Sequence, residues 1–143
     1  MEPLHHLLMS THLLFQKALV RRLRDTGLTV GQPKVLDYLR EHDGSVQKDI
    51  AAACHIEPGT LTSLLSGMEK AGLVERRMEN GNRRSLYVYL TPDGHMLATQ
   101  VAVEFKQIEQ AALNGISDSE AEQLLYLLAR VKQNMEEKES ETN

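Results

Sequence analysis

Apolar residues at Leu4, Leu7, Leu8, Phe15, Ala18, Leu19 and Leu23 recur near helical spacing, which predicts an amphipathic helix over residues 3–25, ended by Gly27. A second helix is expected from Leu28 to Glu41. Thr29 is placed to cap it, Pro33 falls in its first turn, and Val35, Leu36 and Leu39 form the inward stripe. After the break at His42-Asp43-Gly44, residues 45–54 predict a short helix with Ile50 and Ala51 inward. A turn over residues 55–59 leads to a further helix running to about Ala71. This one buries Leu61, Leu64, Leu65 and Met68, and Gly72 follows as a left-handed C-terminal cap.

The period then changes from helical to alternating. Val74–Met78 and Leu86–Leu90 predict two strands, with Leu86, Val88 and Leu90 set against Tyr87 and Tyr89. Asn80-Gly81 between them is a strong hairpin signal. Thr91-Pro92 reopens a helix that reaches about Asn114 through Leu97, Val101, Phe105, Ile108 and Ala112. Gly115 breaks it, and Ser117 with Glu120 forms a capping box for a last helix carrying Leu124, Leu125, Leu128, Val131 and Met135. Acidic residues then thin the pattern out, and residues 139–143 are expected to be a disordered acidic tail. The resulting class is mainly α with a small β-hairpin.

Composition narrows the function. The chain has 143 residues, one domain's worth, with 41% hydrophobic and 4% aromatic residues, so aliphatic side chains must build the core. No apolar run approaches a membrane span and no leader pattern is present, so a cytoplasmic protein is expected. A single cysteine, Cys54, excludes an internal disulfide and is read as a packed small residue at the end of the third helix. No phosphate loop, nucleophile elbow or metal-binding motif appears, so neither an enzyme nor a cofactor is expected.

The net charge of −4 argues against a polyanionic partner until it is divided along the chain. Residues 1–91 hold 12 basic against 10 acidic side chains, a net of +2, whereas residues 92–143 hold 4 against 10, a net of −6. Binding to a polyanion follows the local field, so the first part is free to meet DNA.

Two short helices joined by a tight turn and followed by a basic hairpin are the parts of a winged helix-turn-helix. The helix after the turn must be slim to enter a major groove about 12 Å wide. Its outward positions are Thr60, Thr62, Ser63, Ser66, Gly67 and Lys70, with four hydroxyls where a plain surface helix carries Glu and Lys. The hairpin adds Arg76, Arg77, Arg83 and Arg84, suited to phosphate or a narrow minor groove. Gln47, Lys48, Pro58, Gly59 and Asn82 complete the candidate DNA-facing set. A protein-interaction or anti-repressor module on the same scaffold is the alternative, which the four arginines disfavour.

Several of these segments together resemble the MarR family of bacterial transcription regulators. They are Leu28-Thr29 with Gln32 and Val35-Leu36, then Asp49-Ile50-Ala51 through Thr60-Leu61-Thr62, Leu64-Leu65 and Met68-Glu69. Gly72-Leu73-Val74-Glu75-Arg76 is similar to the family's wing entry. Asn82-Arg83-Arg84-Ser85, leading to Val88-Tyr89-Leu90-Thr91 and Gly94, is similar to its return, with Asn82 where the family pattern has Asp. The resemblance covers residues 28–94. It implies a winged helix-turn-helix lobe over residues 28–91, with dimerisation helices over residues 1–27 and 92–138. It also implies a homodimeric repressor on a palindromic operator with half-sites about 34 Å apart. A small anionic or phenolic effector is implied in turn, with His12, Phe15 and Arg22 as candidate liners of its pocket.

Overall fold

The computed structural model describes residues 1–79, 81 and 85–142. It divides into two units, Met1–Ile108 and Glu109–Asn143. The first unit begins with α1 (Leu4–Arg22) and a 3-10 turn (Arg24–Thr26), then α2 (Gln32–Glu41), β1 (Ser45–Val46), α3 (Gln47–Cys54) and α4 (Pro58–Lys70). β2 (Val74–Met78), β3 (Leu86–Leu90) and α5 (Pro92–Ala112) follow, and α6 (Asp118–Thr142) lies in the second unit.

The order expected from the pattern is present, with four differences. The first helix stops at Arg22, and the 3-10 turn leads to Gly27 at φ 77°. Thr29 does not cap α2. Its N–H donates to the Gln32 side-chain carbonyl at 3.0 Å, and Gly31, at φ 95°, precedes the helix. Ser45 and Val46 are not helical but pair antiparallel with Val88 and Tyr87, making a three-stranded sheet in the order β1-β3-β2. Residues 139–142 are helical rather than disordered, because α6 runs unbroken to Thr142. An acidic, lysine-containing stretch keeps good intrinsic helix propensity, and the ion pair between Lys132 and Glu136 at 3.2 Å supports it one turn earlier.

The core of the first unit is built where the elements around the helix-turn-helix meet. Val35, Leu36 and Leu39 of α2 pack with Ile50 and Ala51 of α3 and with Leu61, Leu65 and Met68 of α4. Val74, Val88 and Leu90 of the sheet and Ala98 and Val101 of α5 close it. A polar tether runs through this core. The buried Gln32 donates from Nε2 to the Leu64 carbonyl at 3.4 Å, linking α2 to α4. Cys54 is half-buried against the same cluster, and burial pushes its thiol above the ordinary range, as expected of a packing cysteine. In the second unit the capping box forms as read: the Ser117 hydroxyl accepts from the Glu120 N–H at 3.1 Å, and Glu120 accepts from the Ser117 N–H at 3.0 Å.

α1 and α6 bury little. No residue of α1 or α6 is buried, and Leu4, Leu7, Leu13 and Leu14 of α1 are exposed, as are Leu124, Leu125, Tyr126 and Leu128 of α6. Among the described residues no helix is long and apolar enough to cross a membrane.

Candidate nucleic-acid interface

The turn between α3 and α4 is fixed by its own chemistry. His55 takes the left-handed conformation at φ 52° and closes α3, and Pro58 occupies the first turn of α4, where it needs no N–H partner. Glu57 caps α4: its carboxylate accepts from the Thr60 N–H at 3.0 Å and from the Thr60 hydroxyl at 3.3 Å. Hydrogen bonds from the Gly59 and Thr60 amides hold the Glu57 carboxyl below its ordinary value. A group depressed in this way stabilises the fold above its unfolded value, about pH 4.3, and loses that effect as pH falls through its folded value. Melting temperatures of wild type and Glu57→Gln should therefore differ at neutral pH and converge on acidification. A constant gap would assign the difference to packing.

The four hydroxyls of α4 are unequally committed. Thr60 donates to Glu57, and Thr62 donates to the Pro58 carbonyl at 3.1 Å while accepting from Gln47 Nε2 at 3.4 Å. Ser66 accepts from Arg76 Nη2 at 3.2 Å. Ser63 is exposed and has no partner among the described residues. Lys48 on α3 and Lys70 at the end of α4 are exposed, as are Gly59 and Pro58. The helix-turn-helix thus brings Gln47 to Thr62 and leaves Ser63 as an open hydroxyl on α4.

On the hairpin, Arg76 pairs with Glu69 of α4 at 3.1 Å and its side chain is 17% exposed. Arg77 is 54% exposed, pairs with Glu75 at 2.8 Å and lies over the Tyr89 ring at 4.5 Å. Tyr89 in turn donates to Glu79. Asn82, Arg83 and Arg84 lie outside the described residues.

The sequence reading missed Glu57, Glu69 and Asp43. Asp43 accepts the Leu90 N–H at 2.8 Å and sits 3.5 Å from His95 Nε2, tying the α2–β1 turn to the end of the hairpin. A capping position was visible in the order Glu57-Pro58, but the pairings of Glu69 and Asp43 span elements and left no local signal.

A cavity of about 210 Å³ opens between α1, the residues leading into α2, and Phe105 of α5. His12 and Phe15 are among its lining residues, and the Phe15 and Phe105 rings stack at 6.0 Å. Arg22 does not line it: its guanidinium is held by Glu104 at 3.0 Å and Gln107 at 2.7 Å. Lys34 is among the residues that do.

The family model for MarR matches residues 28–86. PecS of Dickeya dadantii, an HTH-type transcriptional regulator, is 31% identical over 126 residues, covering 86% of this chain and 76% of that protein. The chain belongs to the MarR family. A MarR family transcriptional regulator from Listeria monocytogenes, solved with a 26mer DNA, shares the fold at a TM-score of 0.89 and 21% identity, over 94% of this chain and 90% of that one. BpsR of Bordetella bronchiseptica, whose DNA binding is regulated by 6-hydroxynicotinic acid, aligns at a TM-score of 0.82 and 26% identity. That alignment covers 92% of this chain and 94% of BpsR. The stretch matched by the MarR model contains α2, the helix-turn-helix and the entry to β3, and the match to PecS extends beyond it to 86% of the chain.

Proposed function

We propose that this MarR-family regulator is a cytoplasmic, homodimeric repressor that reads a palindromic operator and is released by a small aromatic anion. The observation that carries the reading is the slim polar face of α4, with Ser63 open at its centre and Lys48 and Lys70 at its flanks. Ser63 is the base-reading side chain, and Pro58, Gly59, Thr60 and Thr62 let the helix sit close to the groove floor. Lys48, Lys70 and Arg77, with Arg83 and Arg84, are the phosphate ligands, and Asn82 belongs to the same DNA-facing set.

A second copy of the chain is the natural cover for α1 and α6. Their leucines are not folded into the chain's own core, and apolar surface on that scale marks an interface. Two-fold symmetry then fixes a palindrome with half-sites about one helical turn apart. The cavity beneath α1 suits a flat ring packed against the Phe15 and Phe105 pair, with its negative charge toward Lys34 and His12. BpsR, which answers to an aromatic acid, supports this choice of ligand.

A mobility-shift titration on DNA immediately upstream of the gene tests both halves. The dimer should retard a palindromic fragment, and benzoate-class or hydroxylated aromatic acids should release it. Phe15→Ala should keep the shift and lose the release. Failure to bind any palindrome there or genome-wide at low salt sinks the regulatory reading. Release that is unchanged in Phe15→Ala sinks the cavity's role.

A further inference from the structure

We propose that Arg76 is a positioning residue that locks the wing to the recognition helix through Glu69, and is not a ligand of the phosphate backbone. This rests on the DNA-binding role proposed above.

β2 is an edge strand, because the sheet order is β1-β3-β2. The N–H of Arg76 on its free side donates to Glu69 Oε2 at 3.2 Å, so a carboxylate of α4 covers the strand edge. The guanidinium closes the same contact. Nε reaches Oε2 at 3.5 Å, and Nη2 reaches Oε1 at 3.1 Å and the Ser66 hydroxyl at 3.2 Å. Three of its five donors are thus spent within the lobe. The planar fork of an arginine meets both carboxylate oxygens at once, which fixes direction as well as distance. The Arg76 hydrogen bond also holds the Glu69 carboxyl below its ordinary value.

The consequence is geometric. Glu69 is a negative charge on the helix meant to enter a polyanion's groove, where an unpaired carboxylate opposes binding. Paired with Arg76, it sets the angle at which the hairpin leaves α4 and so where the wing arginines meet DNA. Ser66, used by the same guanidinium, is removed from base reading, which confines readout to the first two turns of α4.

The sign of the Glu69 effect provides the test. Full-length Glu69→Gln, Arg76→Gln, Arg76→Lys and the exchange Glu69→Arg with Arg76→Glu are titrated by fluorescence anisotropy on the labelled upstream palindromic fragment that the wild-type dimer retards, between 50 and 200 mM salt. Thermal melts establish that each variant is folded. Each single variant should bind about tenfold more weakly, Arg76→Lys included, because an ammonium keeps the charge but not the fork. The slope of log affinity against log salt should stay at the wild-type value. The exchange should bind more tightly than the two single losses combined predict.

Tighter binding by Glu69→Gln, wild-type binding by Arg76→Lys, or a slope reduced by about 0.9 per protomer in Arg76→Gln overturns the assignment. So does an exchange that is merely additive. Absence of wild-type binding fails the regulatory reading alone. The pair is then read from a double-mutant cycle of melting temperatures, where additive losses overturn it.

Discussion

Gly94→Ala is expected to destabilise the protein by about 3 kcal/mol or more and to lower its melting temperature by about 10 °C. A Cβ at this position would stand 1.9 Å from the Leu73 carbonyl oxygen and 3.3 Å from Leu90 Cδ2. The obstacle is backbone, so no rotamer change relieves it. That carbonyl also accepts the Thr91 N–H at 3.0 Å, while the Thr91 hydroxyl donates to the Gly72 carbonyl and accepts the Gly94 N–H. Moving α5 outward to make room therefore breaks the cap of α5 and its seam with the entry to β2. Gly72→Ala is the control. It has open space around it but a φ of 77°, so its cost is the left-handed strain of about 1 kcal/mol. Melting at one protein concentration, as required for an associating chain, should rank the two variants clearly. Equal melting temperatures would refute the close-approach argument.

Ser63→Glu is expected to weaken operator binding by about 100-fold while leaving the melting temperature unchanged. Ser63 is exposed, mid-helix and without a partner among the described residues, so glutamate enters without loss of packing or helix propensity. On DNA the same change places an uncompensated carboxylate against the groove, where like charges cost several kcal/mol. Anisotropy titration and a parallel melt separate the two effects. Full affinity in the variant would move the readout away from the centre of α4, and a large fall in melting temperature would show that Ser63 has a structural role.

The pattern of residues determined much of this molecule on its own. Each helix of the lobe was legible because apolar residues at helical spacing leave one inward stripe, and Ile50, Leu61, Leu65 and Met68 were all assigned to the core they build. Caps were legible where donor and acceptor lie within four residues, as with Thr91 and with Ser117 and Glu120. The family itself was legible, because the residues that carry the resemblance fall in one contiguous stretch.

Contacts between elements were decided only by the tertiary structure. Ser45-Val46 reads as helix because two residues hold too little pattern to show a strand, and only β3 beside them supplies the ladder. Gly94 belonged to the recognised motif, but its necessity lies in Leu73, 21 positions away. Arg76 and Arg22 both looked like free cations. Folding gave each a carboxylate, Glu69 seven residues away and Glu104 82 residues away, which ties Arg76 to α4 and keeps Arg22 out of the cavity lining. Lys34, unremarked in the pattern, became the cavity's cation because α2 turns it there. Periodicity records which face a residue occupies. The partner it meets there depends on long-range packing, and for the charged residues of this protein that packing set the role.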